Sequence, residues 1–167
     1  MNWFASLFSS RKNPGSSKLN IEALCASDDL NASVIELDNA IGELCAYGEH
    51  LERLSASQRI FYLNQELERG VNTDGFAGYL SGSAGQLAQE TVASLTAIGA
   101  KATAAIVQEA LNLFPSKTLP EDQEKRGELV EGFAGQLEAL DEKFMAYEDD
   151  LNSLAMAFVR SHVADFS

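Results

Sequence analysis

The chain has 167 residues, with 25 Asp and Glu against 12 Lys and Arg and a formal net charge of −13. That length fits one domain with a sizeable core, and a hydrophobic content of 46% supplies the core, so the acid is displayed on a folded surface. Such a surface repels DNA, RNA and anionic membrane and attracts basic proteins, which excludes direct nucleic-acid binding.

The charge is uneven along the chain. Residues 1–20 hold Arg11, Lys12 and Lys18 and no acid, so they are +3 and the remaining residues −16. Trp3, Phe4, Leu7 and Phe8 fall on one face of a short helix, and residues 9–17, with Asn13-Pro14-Gly15, read as a linker. One reading is an interfacial helix with Arg11 and Lys12 on lipid headgroups. The other, better supported by so short a segment with two nearby charges, is packing against its own domain or a second copy. Residues 1–20 are thus an amphipathic segment and linker, and residues 21–167 an acidic helical domain. The bases follow the apolar stretch and no cleavage region is evident, unlike a secretory signal. Cys25 and Cys45 lack metal or CxxC spacing. Both points predict a cytoplasmic protein.

From Asp28 the pattern turns helical. Leu30, Val34, Leu37, Ile41, Leu44, Leu51 and Leu54 predict one long amphipathic helix. Ser55 or Ser57 caps the next, whose stripe is Ile60, Leu63, Leu67 and Val71. A stretch with five glycines in residues 70–85 follows. Further helices are predicted over residues 86–98, stopped by Gly99, and 101–114, ended by Pro115. Leu119-Pro120-Glu121-Asp122 opens a helix over residues 121–133, and two more cover residues 137–147 and 151–163. The expected fold is all-α, a compact single-domain array of about seven helices with short connections.

Catalytic chemistry finds little support. His50 and His162 sit in no HExxH arrangement, and the glycine-rich stretch has no GxxxxGK[ST] or strand–GxGxxG–helix context. Glu148-Asp149-Asp150 suits capping of the helix near Leu151 better than a cation site, which wants six to eight oxygens on a turning loop. We expect no enzyme, no cofactor and no metal.

The acids carry the functional signal. Residues 28–52 hold seven acids and no base; residues 121–150 hold eleven against Lys125, Arg126 and Lys143. Glu121, Glu124, Glu128 and Glu131 step along one helical face, and Glu138 and Glu142 repeat the spacing. Like charges so placed repel by a few tenths of a kcal/mol per pair, so a stripe without interleaved lysine suggests a purpose. The candidate partner-binding residues are these six, with Asp28, Asp29, Glu36 and Glu43 in a second patch. Charges ~5 Å apart along one helix are too dilute to copy a DNA duplex, which carries one per ~1.7 Å; two or three acidic helices, or two copies, come closer.

Val71-Asn72-Thr73-Asp74-Gly75-Phe76-Ala77-Gly78-Tyr79-Leu80-Ser81-Gly82-Ser83-Ala84-Gly85 resembles the VNNGGF-x-Q-Y-x-x-N-S-x-G signature of a bacterial DNA-mimic protein family. The likeness continues through Ile98-Gly99-Ala100, Phe114-Pro115, residues 140–144 and Glu148-Asp149-Asp150-Leu151. Asp74, Gly78 and Gly82 stand where the signature has Gly, Gln and Asn. Asn72, Gly75, Phe76, Tyr79 and Gly85 match it, and read as mainly structural, with Phe76, Tyr79 and Leu80 as core anchors and a local chain reversal at Gly75. The resemblance implies a helical, dimeric, non-enzymatic protein that occupies the DNA-binding surface of a transcription factor or another basic DNA-binding protein. The alternative is an immunity or antitoxin-like protein that neutralises one enzyme by direct binding.

Overall fold

The computed structural model describes residues 19–115 and 117–167, so the expectations for the N-terminal amphipathic segment lie outside the described residues. Among the described residues eight α-helices follow in order: α1 (Ile21–Ala26), α2 (Leu30–Leu44), α3 (Ala56–Ser81), α4 (Ala88–Ile98), α5 (Lys101–Asn112), α6 (Gln123–Glu131), α7 (Ala134–Met145) and α8 (Leu151–Ser161). No strand occurs among the described residues, and the all-α expectation holds.

Capping sets most helix starts. The Ser55 side chain accepts from Gln58 N at 3.1 Å while Gln58 Oε1 accepts from Ser55 N at 2.9 Å, a reciprocal box that opens α3. Asn20, Asp29, Asp122 and Asp150 cap α1, α2, α6 and α8 through their side chains. Gly99, at φ +88°, closes α4 in the left-handed conformation.

Helix α3 runs through two cores. Its first half contributes Phe61 and Tyr62 to a cluster with Val34, Leu37, Ile41, Met156 and Val159, from α2 and α8. Its second half contributes Phe76 and Leu80 to a cluster with Leu95, Val107, Leu137 and Phe144, from α4, α5 and α7. Each fully buried Leu or Phe side chain here stabilises the fold by about 1.5–3 kcal/mol.

Two expectations change. The predicted helix over residues 28–54 stops at Leu44, because Ala46, Tyr47 and Gly48 take successive positive φ values of 50°, 52° and 100°. Tyr47 N donates to Gly42 O at 2.7 Å and His50 N to Cys45 O at 2.9 Å, so the reversal leaves these amides satisfied. Leu51 and Leu54 still pack on the second cluster, so the apolar register survives without the helix. The short α1, with Ile21 and Leu24 buried, was not foreseen from the pattern.

The glycine-rich stretch is helical to Ser81, and the expected chain reversal falls at Gly75: a Cβ on Gly70 would lie 3.0 Å from the Tyr79 ring, whereas nine residues of unbroken helix would separate the two by ~13.5 Å. Gly75 adopts φ +67° and ψ −177°, a region almost exclusive to glycine. The helix resumes at Phe76, whose backbone N donates to Asp141 Oδ1 on α7 at 2.7 Å. A Cβ on Gly75 would lie 2.5 Å from Asp141 Oδ2. Phe76, Tyr79 and Leu80 are buried as core anchors, and the Phe76 ring meets Phe144 edge-on at 5.8 Å.

Arg126 is the largest fully buried side chain. Its Nε donates to Leu80 O at 2.9 Å, Nη2 to Gly82 O at 2.7 Å, and Nη1 to Pro120 O and Glu121 O at 2.7 and 2.9 Å. The guanidinium thus joins the carbonyl end of α3, where the helix dipole favours a cation, to the entry of α6.

Both contacts predict measurable costs. Gly75→Ala should lower stability by about 3 kcal/mol, from backbone strain and the clash with Asp141, read as a fall in the urea midpoint followed by circular dichroism. Arg126→Met should cost about 3 kcal/mol by stranding buried carbonyls, and differential scanning calorimetry should show a lower melting temperature.

Candidate functional site

The acids divide into those that build the fold and those that face outward. Asp38 and Glu66 both bind Arg69, Glu90 binds Arg59 at 2.5 and 2.8 Å, and Glu109 binds Lys143 at 2.8 Å. Its bond to Arg59 holds the Glu90 carboxyl below the usual range. Asp150 caps α8 by accepting from Ser153 N and Oγ at 3.0 and 2.7 Å, which lowers its own pKa. Asp149 does not serve α8; its Oδ2 accepts from Thr103 N and Oγ1 at 2.7 and 2.9 Å and so caps α5, whose N-cap residue Ala100 has no polar side chain.

The six candidate glutamates belong to the outward group. Glu124, Glu128 and Glu131 lie on α6, exposed and turned away from buried Arg126 and Val130. Glu138 and Glu142 are exposed on α7, whose buried side is Leu137, Leu140 and Phe144. Glu121 is exposed but precedes the helix, because the Asp122 side chain takes Lys125 N at 2.9 Å and starts α6 at Gln123. The stripe on α6 is therefore Glu124, Glu128 and Glu131, with Glu121 beside its entry. Among the described residues none of the six carboxylates has a base within ion-pairing distance. Burial of Arg126 also withdraws one of the few bases that could neutralise this surface.

In the second patch Asp28, Glu36 and Glu43 are exposed, while Asp29 is exposed but its Oδ1 accepts from Ala32 N at 3.0 Å as the cap of α2. The histidines are occupied otherwise: His50 contacts Glu52 at 3.1 Å, and His162 stacks on Phe158 with centroids 4.2 Å apart. Among the described residues no group of three or more His, Cys, Asp and Glu is arranged to hold a metal ion. No helix there is long and apolar enough to cross a membrane.

The signature residues are chiefly structural. Asn72 Nδ2 donates to Tyr147 Oη at 2.7 Å, tying α3 to the end of α7. Tyr79 is buried and donates to Thr91 Oγ1 at 3.0 Å, and burial pushes its hydroxyl up to about 12. A Cβ on Gly85 would stand 2.0 Å from Leu80 O, so the turn closes only with glycine. The departures from the signature compensate each other. The Cβ of Asp74 lies 2.2 Å from where a Cβ on residue 78 would be, so an aspartate at 74 in this position demands glycine at 78.

These same positions border a feature the pattern did not reveal. A hollow of about 260 Å³ lined by Arg69, Asp74, Gly78 and Gly82 adjoins one of about 430 Å³ lined by Tyr47, Glu49 and Tyr62. They share Glu66, Ser83 and Ala84.

Among the described residues, a strandless helical array with unpaired carboxylates on consecutive helices defines an acidic all-α protein with a charged outer face. A family model described as DMP19-like protein matches residues 52–162, and the chain belongs to that family. No curated protein and no solved structure matches it.

One carboxylate within the fold has a pH signature. Glu68 lies partly buried under Tyr147, whose hydroxyl donates to it at 3.3 Å. Burial pushes its carboxyl up, the Tyr147 bond opposes this, and the charge of Asp38 adds to the rise. A raised folded-state pKa gives stability that is full below the unfolded value and lost as pH rises through the folded one. Glu68→Gln should therefore raise the urea midpoint at neutral pH, with the gain vanishing as pH falls below the ordinary glutamate range.

Proposed function

We propose that this protein is a non-enzymatic binding protein that presents its acidic face to a basic DNA-binding protein or transcription factor, in the manner of a DNA mimic. The observation that carries the reading is the set of exposed, unpaired carboxylates on α6 and α7. Membership of the DMP19-like family and the signature around Gly75 support it.

The charge geometry is compatible with that role. Glu124 and Glu128 are about 6 Å apart along the helix axis, and Glu128 and Glu131 about 4.5 Å. A DNA strand spaces its charges ~3.4 Å apart, so α6 alone is too sparse, and the reading calls on α7 or a second copy to complete the pattern. It accordingly includes a homodimer. Exposed ion pairs are screened over about 8 Å at physiological salt, so binding of this kind weakens steeply as salt rises.

The test is capture of partners from lysate by the full chain at low and high salt, with duplex DNA as competitor. Expected is a basic DNA-binding protein that high salt and DNA both displace and that a Glu124→Lys, Glu128→Lys, Glu131→Lys variant fails to retain. That variant should melt within a few degrees of the parent, because surface substitutions usually change stability by under about 0.5 kcal/mol. Salt-insensitive recovery of one enzyme would instead identify a neutralising protein of the immunity type. A purely monomeric sedimentation profile would remove the second copy from the reading.

A further inference from the structure

The two hollows that meet at Glu66 form one groove along α3, with Tyr47, Gly48 and Glu49 on one wall and the turn at Ser83–Leu87 on the other. Gly78 and Gly82 add only backbone to its lining, and the Asp74 side chain occupies the space over Gly78. Tyr47 stands at the rim with 64% of its surface exposed, an uncommon position for an aromatic ring at φ +52°. The charged groups facing the groove are the carboxylates of Glu49, Glu66 and Asp74 and the guanidinium of Arg69. Arg69 is already engaged, since Asp38 and Glu66 both bind it. The groove therefore keeps a net negative charge beside an exposed aromatic face.

We infer that this groove receives an arginine side chain from the basic protein partner, its guanidinium stacking on Tyr47 and pairing with Glu49. The inference rests on the reading of the protein as a binder of basic proteins. A planar guanidinium uses an aromatic face and a carboxylate together, which the compact, strongly hydrated ammonium of lysine does less well. An anionic ligand would meet three carboxylates and one guanidinium that is already paired. The groove differs in kind from the α6 and α7 surface. That surface offers charge in rows, whereas the groove offers a socket for one side chain, an anchor of the sort that dominates binding energy at protein interfaces.

The test is a titration of the isotope-labelled full chain with hexa-arginine, hexa-lysine and inorganic phosphate, followed by amide chemical shifts. Hexa-arginine should move the amides of residues 47–49 and 83–87 saturably, and bind about threefold more tightly than hexa-lysine, the size of one exposed cation–π contact. Tyr47→Ala should weaken hexa-arginine by about the same factor, and Glu49→Gln should also weaken it, neither changing the melting temperature. Shifts confined to α6 and α7 with the groove silent would overturn this inference and leave the proposed function standing. No shift on any acidic surface would count against both. Movement of the groove amides by phosphate alone would make it an anion site and overturn the assignment. So would groove shifts in a peptide-free Arg11→Gln, Lys12→Gln, Lys18→Gln chain, which would show the chain's own basic segment to be the occupant.

Discussion

At Gly75 the longest helix loses its hydrogen-bond register, and Asp141, 65 residues beyond Phe76, accepts the first amide of the resumed helix. That carboxylate is a cap supplied from another helix. It fixes α7 against α3 between Val71 and Phe76, inside the core that the two share, and the edge contact of Phe76 with Phe144 follows from the same docking. Arg126 then holds α6 against the far end of α3, through carbonyls on both elements. With α6 and α7 both anchored on their inner sides, their glutamates have only solvent to face. The placement of the acidic surface is therefore a consequence of how a broken helix is repaired.

Acid in this chain has two occupations that composition cannot separate. Asp122, Asp141, Asp149 and Asp150 are spent on helix starts, where the dipole and unpaired amides favour a carboxylate. Glu124, Glu128, Glu131, Glu138 and Glu142 have no such employment. The distinction follows side-chain length: the short aspartate reaches a nearby backbone amide, while glutamate in mid-helix extends past its own turn. The exposed glutamates tolerate mutual repulsion because the cores beneath them, rather than their own pairing, hold the helices in place.

The sequence made much of this legible wherever the cause was local. The cap at Ser55, one of two serines the pattern offers, the stop at Gly99 and the apolar stripe of α3 can be read from a few neighbouring residues. The end of α2 could not, because Ala46 and Tyr47 take left-handed backbone that neither residue prefers, and the heptad-like leucines continue past it. The burial of Arg126 is not legible in a count of bases, because two of its four carbonyl partners lie 46 and 44 residues away. Of the two aspartates offered for the α8 cap, Asp150 takes it, and the role of Asp149 is hidden because its partner Thr103 is remote in sequence. For the candidate surface, residue type and spacing were readable, but exposure and the Tyr47–Glu66 groove emerge only from packing. Of the original stripe, Glu121 alone leaves the helix.

The close approach of Asp74 to residue 78 also constrains the order in which this stretch could have changed. A chain with a side chain at 78 has to lose it before aspartate can enter at 74 in this position, since the two β-carbons would occupy nearly the same space. The passable intermediate carries glycine at 74, 75 and 78 together, within a helix where each added glycine costs roughly 0.5–1 kcal/mol. The Asp141 contact and the buried anchors Phe76 and Tyr79 are what such an intermediate would have leaned on. The pair is thus sterically exclusive in both directions: a side chain at 74 and one at 78 can replace each other only by way of glycine at both.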